Sequence, residues 1–94
     1  MIKTKLKETE TLELKKSTSE LKEAIISMAS ILNKHHKGKV YFGIKDNGEV
    51  VGQNITGNTI REISQVIASN IEPKIFPKII KEDINKKKLC ICSV

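Results

Sequence analysis

The residues best suited to chemistry surround one turn in the first half of the chain. Lys34, Lys37 and Lys39 lie close together there, with His35 and His36 between the first two lysines. A lysine binds a phosphate as a point charge, and a histidine adds positive charge below about pH 6.5. This turn could therefore contact the phosphate backbone of a nucleic acid. The alternative is that the lysines are solvated and that the histidines only complement the negative end of a helix dipole.

Further candidate contacts lie on the strands predicted on either side of this turn. Tyr41 and Lys45 share the polar face of the strand that follows, and Tyr41 is placed to stack on a base. Lys15 lies on an earlier strand. The lysines of segment 86–88 form a second cluster, for which solvation is the simpler explanation. The predicted nucleic-acid interface therefore consists of Lys15, Lys34, His36, Lys37, Lys39, Tyr41 and Lys45.

The whole chain is basic, with 17 Lys and Arg residues against 11 Asp and Glu residues and a formal net charge of +6. Such a balance favours polyanionic partners. Arg61 is the only arginine, and arginine is the residue that most often reads guanine through paired hydrogen bonds. The composition therefore indicates contact with the phosphate backbone rather than reading of the base sequence. The alternative is that the lysine-rich surface reflects only codon usage and solubility.

Length and hydropathy limit the class of protein. The 94 residues suffice for one domain, and the hydrophobic share of 38% and charged share of 30% are typical of soluble globular chains. No apolar run approaches the roughly 18 residues of a membrane-spanning helix, and the N-terminus lacks the apolar stretch of a signal peptide. We therefore expect a cytoplasmic location and no membrane partner. Cys90 and Cys92 would point to one side of a strand, so we predict that both are reduced core residues.

Hydrophobic periodicity predicts a strand and then a helix in the first third of the chain. Thr11 to Lys15 reads as a strand in which Leu12 and Leu14 face the core, leaving Glu13 and Lys15 on the opposite face. A capping box at Ser17–Glu20 then starts a helix with a wide apolar stripe, and Gly38 is placed to end it.

A β-hairpin and a second helix follow. Residues 40–45 and 49–51 alternate as the two strands of the hairpin, and Asn47-Gly48 favours a type I′ turn between them. Thr59 to Glu62 offers a second capping box, which starts a second helix. The buried stripe of this helix is formed by Ile60, Ile63, Ile67 and Ile71, and Pro73 stops it.

Two more strands complete the predicted order β-α-β-β-α-β-β. The first, Lys74–Glu82, contains Pro77 and should therefore be an edge or bulged strand, and the second is Lys88–Val94. The order predicts an α+β fold, a mixed sheet with two packed helices. Residues 1–7 read as a basic lead-in to one domain at 8–94. Because the chain stops inside a predicted strand, we expect it to be a piece of a longer protein.

Two segments of the chain together resemble a known family. The first is Glu8 followed by Leu12-Glu13-Leu14-Lys15, and the second runs from Asn33 through the hairpin Tyr41–Gly52. Over about residues 8–80 they resemble the Schlafen AlbA-type DNA-binding domain. The resemblance implies an N-terminal module of longer bacterial proteins, which are described as transcriptional regulators or as ATP-binding proteins.

The resemblance also implies a set of three carboxylates. In vertebrate Schlafen proteins such a set supports metal-dependent RNA cleavage, and the resemblance places these catalytic and metal-binding roles on Glu8, Glu13 and Asp46, with Mg²⁺ or Mn²⁺ as the ion. On a straight strand Glu8 and Glu13 would lie on opposite faces, so a shared site requires a bend between Thr9 and Thr11. Asp46 also has a local explanation, because Asp-Asn-Gly is ordinary hairpin chemistry.

One turn departs from the family pattern. Segment 33–39 is longer by one residue and has one glycine where the family has two, which disfavours close approach of a phosphate to this backbone. We expect a nucleic-acid-binding module of a transcriptional regulator, with DNA preferred to RNA, that continues into downstream domains. The alternatives are a metal-dependent nuclease that uses the three carboxylates, and a regulatory module of an ATPase-like protein. The sequence leaves homo-oligomerisation open.

Overall fold

A mixed four-stranded sheet carries two helices. The computed structural model describes residues 6–71, 77–84 and 86–93. The strand order is β1-β2-β4-β3, with β1 parallel to β2 and the other neighbours antiparallel. The α+β class and the two packed helices are thereby confirmed. The elements are β1 (Leu12–Lys15), α1 (Leu21–His35), β2 (Lys39–Phe42), α2 (Gly57–Asn70), β3 (Lys78–Ile84) and β4 (Lys87–Ser93).

Both faces of the sheet are apolar. On one face the side chains of β2 and β4 pack against α1 and α2; this first cluster includes Val40, Phe42, Cys90 and Cys92. On the other face a second cluster is formed by Leu14, Ile44, Val50 and Leu89. The first cluster takes alternate residues of β2 and β4, as the pleat of a sheet requires. In the second cluster, Ile44 and Val50 lie beyond the end of β2.

The register shows which side of the sheet each face of β1 lies on. Glu13 pairs with Val40 and Leu14 pairs with Tyr41, and paired residues of neighbouring strands share a face. Leu14, fully buried, therefore belongs to the second cluster, whereas Glu13 lies on the face that the helices cover. Leu12 and Leu14 therefore face a core, as predicted, and Glu13 and Lys15 face the opposite side. The sequence did not indicate that the sheet has a core on each side, with the helices on the face of Glu13.

The N-terminus of α1 begins with a 3₁₀ turn. The Ser17 side chain accepts a hydrogen bond from the Ser19 N–H at 3.2 Å, and the Glu20 carboxylate accepts one from the Lys16 N–H at 3.2 Å. These bonds satisfy backbone donors that a helix leaves unpaired. The predicted capping residues therefore act as caps, but α1 itself starts only at Leu21.

Helix α1 ends at His35, before Gly38, the residue that was predicted to end it. His36 takes the left-handed conformation, with φ 63°, and its N–H donates to the Leu32 carbonyl at 3.0 Å. Gly38 is instead buried beneath the helix, where a Cβ would lie 2.7 Å from Ile31 Cγ2. Close packing, rather than helix termination, explains the glycine at this position.

The turn after β2 is not the predicted type I′ turn. The Gly48 N–H donates to the Lys45 carbonyl and the Lys45 N–H donates to the Glu49 carbonyl, each at 2.9 Å. Gly48 has φ 90°, but Asn47 is not among the residues with positive φ, and its side chain accepts from the Glu49 N–H at 2.9 Å. This pattern is a three-residue loop with a bulge at the glycine.

The returning half of the hairpin is shorter than predicted. Residues 49–51 pair with the outgoing half through one bridge, between Ile44 and Val50. The Gly43 carbonyl accepts from the N–H groups of both Val51 and Gly52, each at 2.9 Å. The hairpin therefore folds over the second cluster instead of adding a strand to the sheet.

The helix α2 begins earlier than predicted. Thr56 and Thr59 form its capping box, in which each side chain bonds to the other residue's N–H. Ile63 and Ile67 are buried beneath it, as the apolar stripe predicted. The prediction of a capping box at Thr59–Glu62 is thus wrong, because Thr56 is the N-cap residue of α2.

The last two predicted strands are both present. Strand β3 is at the edge of the sheet, as predicted, and β4 is central. Pro77 immediately precedes β3, whereas Pro73 and Lys74, part of the predicted helix stop and strand, lie outside the described residues. Within the part of the chain that is described, no helix is long and apolar enough to cross a membrane.

The two cysteines are free and buried in β4. Burial raises the pKa of the Cys90 thiol, and burial together with Cys90 raises the pKa of Cys92 to about 12. Both are therefore protonated core residues at neutral pH, as the sequence indicated.

Candidate functional site

Glu8 and Glu13 come together because the chain reverses between them. Thr9 and Leu12 form an antiparallel bridge, with N–H to carbonyl distances of 3.0 and 3.4 Å. The Thr9 hydroxyl also accepts from the Thr11 N–H at 3.2 Å. In an antiparallel pair the next residues outward, Glu8 and Glu13, lie opposite each other. The bend required for a shared site is therefore present.

Asp46, from the hairpin after β2, also contacts Glu8. Although Glu8 is exposed as a whole residue, partial desolvation of its carboxyl, then hydrogen bonding and repulsion by Glu13 and by Asp46, raise its pKa from 4.5 to about 7. A proton on Glu8 can bond to either neighbouring carboxylate. We call Glu8, Glu13 and Asp46 the carboxylate cluster, and Glu8 within it can take up or release a proton near neutral pH.

Two lysines predicted to contact phosphate lie near this cluster and already have acidic partners. Lys15 Nζ is 3.4 Å from Glu13 Oε1, and both side chains are less than one-fifth exposed. Lys45 Nζ is 3.6 Å from Glu49 Oε1. Their charges are thus partly neutralised within the protein. A cavity of about 360 Å³ adjoins Asp46 and is lined by Lys16, Glu20, Lys45, Asp46 and Asn47.

The carboxylate cluster has suitable donors for a divalent ion but not the arrangement. Carboxylate oxygens are the ligands that Mg²⁺ and Mn²⁺ prefer. Among residues 6–71, 77–84 and 86–93, no group of three or more His, Cys, Asp or Glu side chains is positioned to hold a metal ion. Glu8 instead makes a separate contact with each of its two neighbours. As it stands, the cluster can hold a proton on Glu8 and does not fit a preassembled metal site.

A second region is a groove of about 480 Å³ beside the start of β2. Lys37 and Lys39 are exposed there, and neither has an ion-pair partner in the described part of the chain. Tyr41 is half-buried and packs against the second cluster, which holds its ring in place. We call this region the β2 groove; its lining residues are Leu6, Thr9, Thr11, Leu12, Lys37, Gly38, Lys39, Tyr41 and Ser93.

The remaining predicted interface residues lie at the end of α1. Lys34 and His36 are exposed, and neither lines the β2 groove. His35 Nε2 is 3.4 Å from Glu10 Oε2, which ties the end of α1 to the Thr9–Leu12 reversal. The structure thus joins three of the seven predicted contacts, Lys37, Lys39 and Tyr41, in one groove. The sequence did not predict that the hydroxyl residues Thr9, Thr11 and Ser93 line this groove, because their spacing in the sequence forms no recognisable motif.

The raised pKa of Glu8 predicts a pH-dependent stability. A carboxyl whose pKa is raised from 4.5 to about 7 by folding contributes stability below pH 4.5 that is lost as the pH rises through about 7. We therefore expect Glu8→Gln to melt near the wild-type temperature at pH 5 and above it at pH 8. Melting curves followed by circular dichroism measure this, with Glu23→Gln on the exposed face of α1 as the matched control. A melting-temperature difference that is the same at both pH values would contradict the carboxyl contacts.

Fold and site together define a small, basic α+β domain that carries a carboxylate cluster and a separate lysine-lined groove. The sequence profile of the family Schlafen, AlbA_2 matches residues 8–94. The chain belongs to the Schlafen AlbA_2 family. No curated protein matches it in sequence.

Two solved structures share the fold at low sequence identity. The DIP2311 protein of Corynebacterium diphtheriae is 17% identical with a TM-score of 0.71, and the match covers 97% of this chain and 22% of that one. The N-terminal domain of an ATP-dependent DNA helicase RecG-related protein, so named, from Nitrosomonas europaea is 19% identical with a TM-score of 0.64. That match covers 93% of this chain and 63% of the other. The chain therefore spans about a fifth of the length of the first neighbour and under two thirds of the length of the second.

Proposed function

We propose that the chain is a nucleic-acid-binding module that contacts the phosphate backbone of DNA through the β2 groove. The observation that carries this proposal is the grouping of Lys37, Lys39 and Tyr41 in one groove. A positively charged groove with an aromatic side chain suits a nucleic acid, because lysines contact phosphates and the ring can stack on a base. The net charge of +6 would attract the same partner over a longer range.

We also propose that the module acts within a longer protein, such as a transcriptional regulator. In support, the domain matches only part of each structural neighbour, and the name of one neighbour includes a DNA helicase. A regulatory role next to an ATPase-like region, without DNA contact, is the competing proposal. The two differ in whether the isolated chain binds nucleic acid at all.

The salt dependence of binding tests the proposal. We expect weak binding of fluorescein-labelled DNA with little sequence preference. The plot of log K against log salt concentration should have a slope of about −3 to −4.5 on duplex DNA, if three to five phosphates are contacted. Fluorescence anisotropy between about 50 and 200 mM NaCl, on two unrelated duplexes and one single strand, measures it. No binding at the lowest salt, or binding indifferent to salt, would favour the competing proposal.

A second candidate function is metal-dependent cleavage of nucleic acid by Glu8, Glu13 and Asp46. The contacts of Glu8 with the other two carboxylates favour it. A bound Mg²⁺ or Mn²⁺ would supply Lewis-acid chemistry to such a site. However, the cluster would first have to lose the proton on Glu8 and rearrange, since the described residues contain no assembled metal site.

We expect divalent ions to leave this chain unchanged. At pH 8, above the raised pKa of Glu8 of about 7, Mg²⁺ and Mn²⁺ at about 5 mM should neither raise the melting temperature by mass action nor permit cleavage of RNA or DNA hairpins. Thermal shift and a gel assay after prolonged incubation measure the two effects. A rise in melting temperature and cleavage, both abolished in Glu13→Ala, would establish the nuclease function instead.

A further inference from the structure

We propose that the outer edge of β3 joins two copies of this chain by antiparallel pairing of β3 with itself. Strand β3 is last in the order β1-β2-β4-β3, and within the described residues it pairs only with β4. Alternate residues of an edge strand present main-chain N–H and C=O groups that another strand can pair with. This interface is separate from the β2 groove and does not depend on the proposed function.

An exposed apolar residue lies on this edge. Ile80 is 41% exposed, and it and Ile26 are the large apolar side chains exposed in the described part of the chain. Natural edge strands are usually protected by charges, by proline or by a bulge. In β3 the charges leave Ile80 uncovered, with Lys78 two residues before it and Glu82 two residues after it.

The order of these residues is self-complementary. In an antiparallel pair centred on Ile80, the two isoleucines face each other across the two-fold axis. Lys78 then lies opposite Glu82 of the partner subunit, and Glu82 lies opposite Lys78 of the partner subunit. Opposite residues on neighbouring strands have Cβ atoms about 4.5–5.5 Å apart, so both ion pairs can form. Neither Lys78 nor Glu82 has an ion-pair partner within the described residues.

Neighbouring registers lack this complementarity. A pair centred on Lys81 would place the two copies of that lysine face to face, and like charges directly opposite each other destabilise a sheet. A pair centred on Ile79 would place Lys78 opposite an isoleucine and leave Glu82 beyond the end of the paired strand. The charges on β3 therefore select one register and one partner, a second copy of this chain.

Charge reversal across the interface tests the proposal. Sedimentation velocity of the 94-residue chain between about 5 and 200 μM should show a monomer–dimer equilibrium. Lys78→Glu and Glu82→Lys should each raise the dimer Kd at least about tenfold, because two-fold symmetry places each new like-charge contact twice. The double variant with both reversals should return the Kd to within about threefold of the wild-type value.

The matched control is Lys22→Glu, which makes the same charge change on the exposed surface of α1 and should leave the Kd unchanged. Because both reversed residues of β3 are exposed, the variants should fold, and circular dichroism verifies this. A wild-type chain that is monomeric at about 200 μM would overturn the proposal, since specific dimers are populated at such concentrations. A dimer that resists the single reversals, or that the double variant fails to restore, would also overturn it.

Discussion

Replacing Lys34, Lys37 and Lys39 together with alanine is expected to weaken duplex-DNA binding by about 50- to 500-fold near 0.1 M salt. Each lysine that contacts a phosphate contributes close to one unit to the slope of log K against log salt concentration, so the slope should shrink by about two to three units. Two of the three lysines line the β2 groove, and the third is exposed in the last turn of α1. Anisotropy titrations at several salt concentrations measure both quantities.

The second lysine cluster provides the matched control for this variant. Lys86, Lys87 and Lys88 are exposed at the β3–β4 hairpin, and their replacement by alanine removes the same charge. Lys88 is 3.4 Å from Asp83 and is already partly neutralised. We expect this control to lose less than about tenfold in affinity, mainly through the reduced overall charge. Equal losses in the two triple variants, or a larger loss in the control, would show that DNA binds elsewhere.

Gly43→Ala is expected to lower the free energy of unfolding by about 2–4 kcal/mol, because it adds a clash to a strained backbone. Gly43 has φ 110°, a conformation that residues with a Cβ rarely adopt. A Cβ there would lie 2.8 Å from Leu89 Cδ2 and 3.3 Å from the Gly52 Cα. The main chain of the returning hairpin therefore blocks relaxation on one side. Urea denaturation followed by circular dichroism measures the loss.

Gly57→Ala gives the opposite expectation and serves as a control. Gly57 is the first residue of α2, and a Cβ there would meet no atom within 4 Å. Alanine in a helix is favoured over glycine by about 0.5–1 kcal/mol, so this variant should be slightly more stable than the wild type. If Gly43→Ala unfolds at the same urea concentration as the wild type, the hairpin does not pack over the sheet as described.

Local sequence patterns predicted the elements well and their details less well. The apolar stripes of both helices and the edge position of β3 follow from periodicity and from Pro77. The turn type does not, because Asn47-Gly48 is compatible both with a type I′ turn and with a bulged loop in which only the glycine has positive φ. Both loops fit the same residues, so the residue types alone could not separate them.

The orientation of β1 shows a second limit of pattern reasoning. An alternating strand has two distinct faces, but alternation does not say which face the helices cover. Glu13 and Lys15 lie on the helix-covered side of an edge strand, where they pair with each other. Polar residues can occupy such a position because each satisfies the other's charge. The polar face of a strand therefore need not be the solvent face.

The candidate sites depend on contacts that are distant in sequence. The reversal that unites Glu8 and Glu13 contains no glycine or proline and is held in part by the Thr9 hydroxyl, so the sequence supplied only the condition that a bend must exist. The β2 groove combines residues near positions 6–12, 37–41 and 93. Its lysines and tyrosine could be proposed from the sequence, but their neighbours from β1 and β4 could not.

The two buried thiols make the central strand a natural reporter of opening. Cys90 and Cys92 are fully buried in β4, which has a strand on each side and helices over the thiols. A thiol reagent can reach them only when the first apolar cluster separates, so the labelling rate measures how often the core opens. Fraying of β1, which does not pair with β4, would leave this rate unaffected. The labelling rate of these two thiols therefore reports the opening of the core without any added probe.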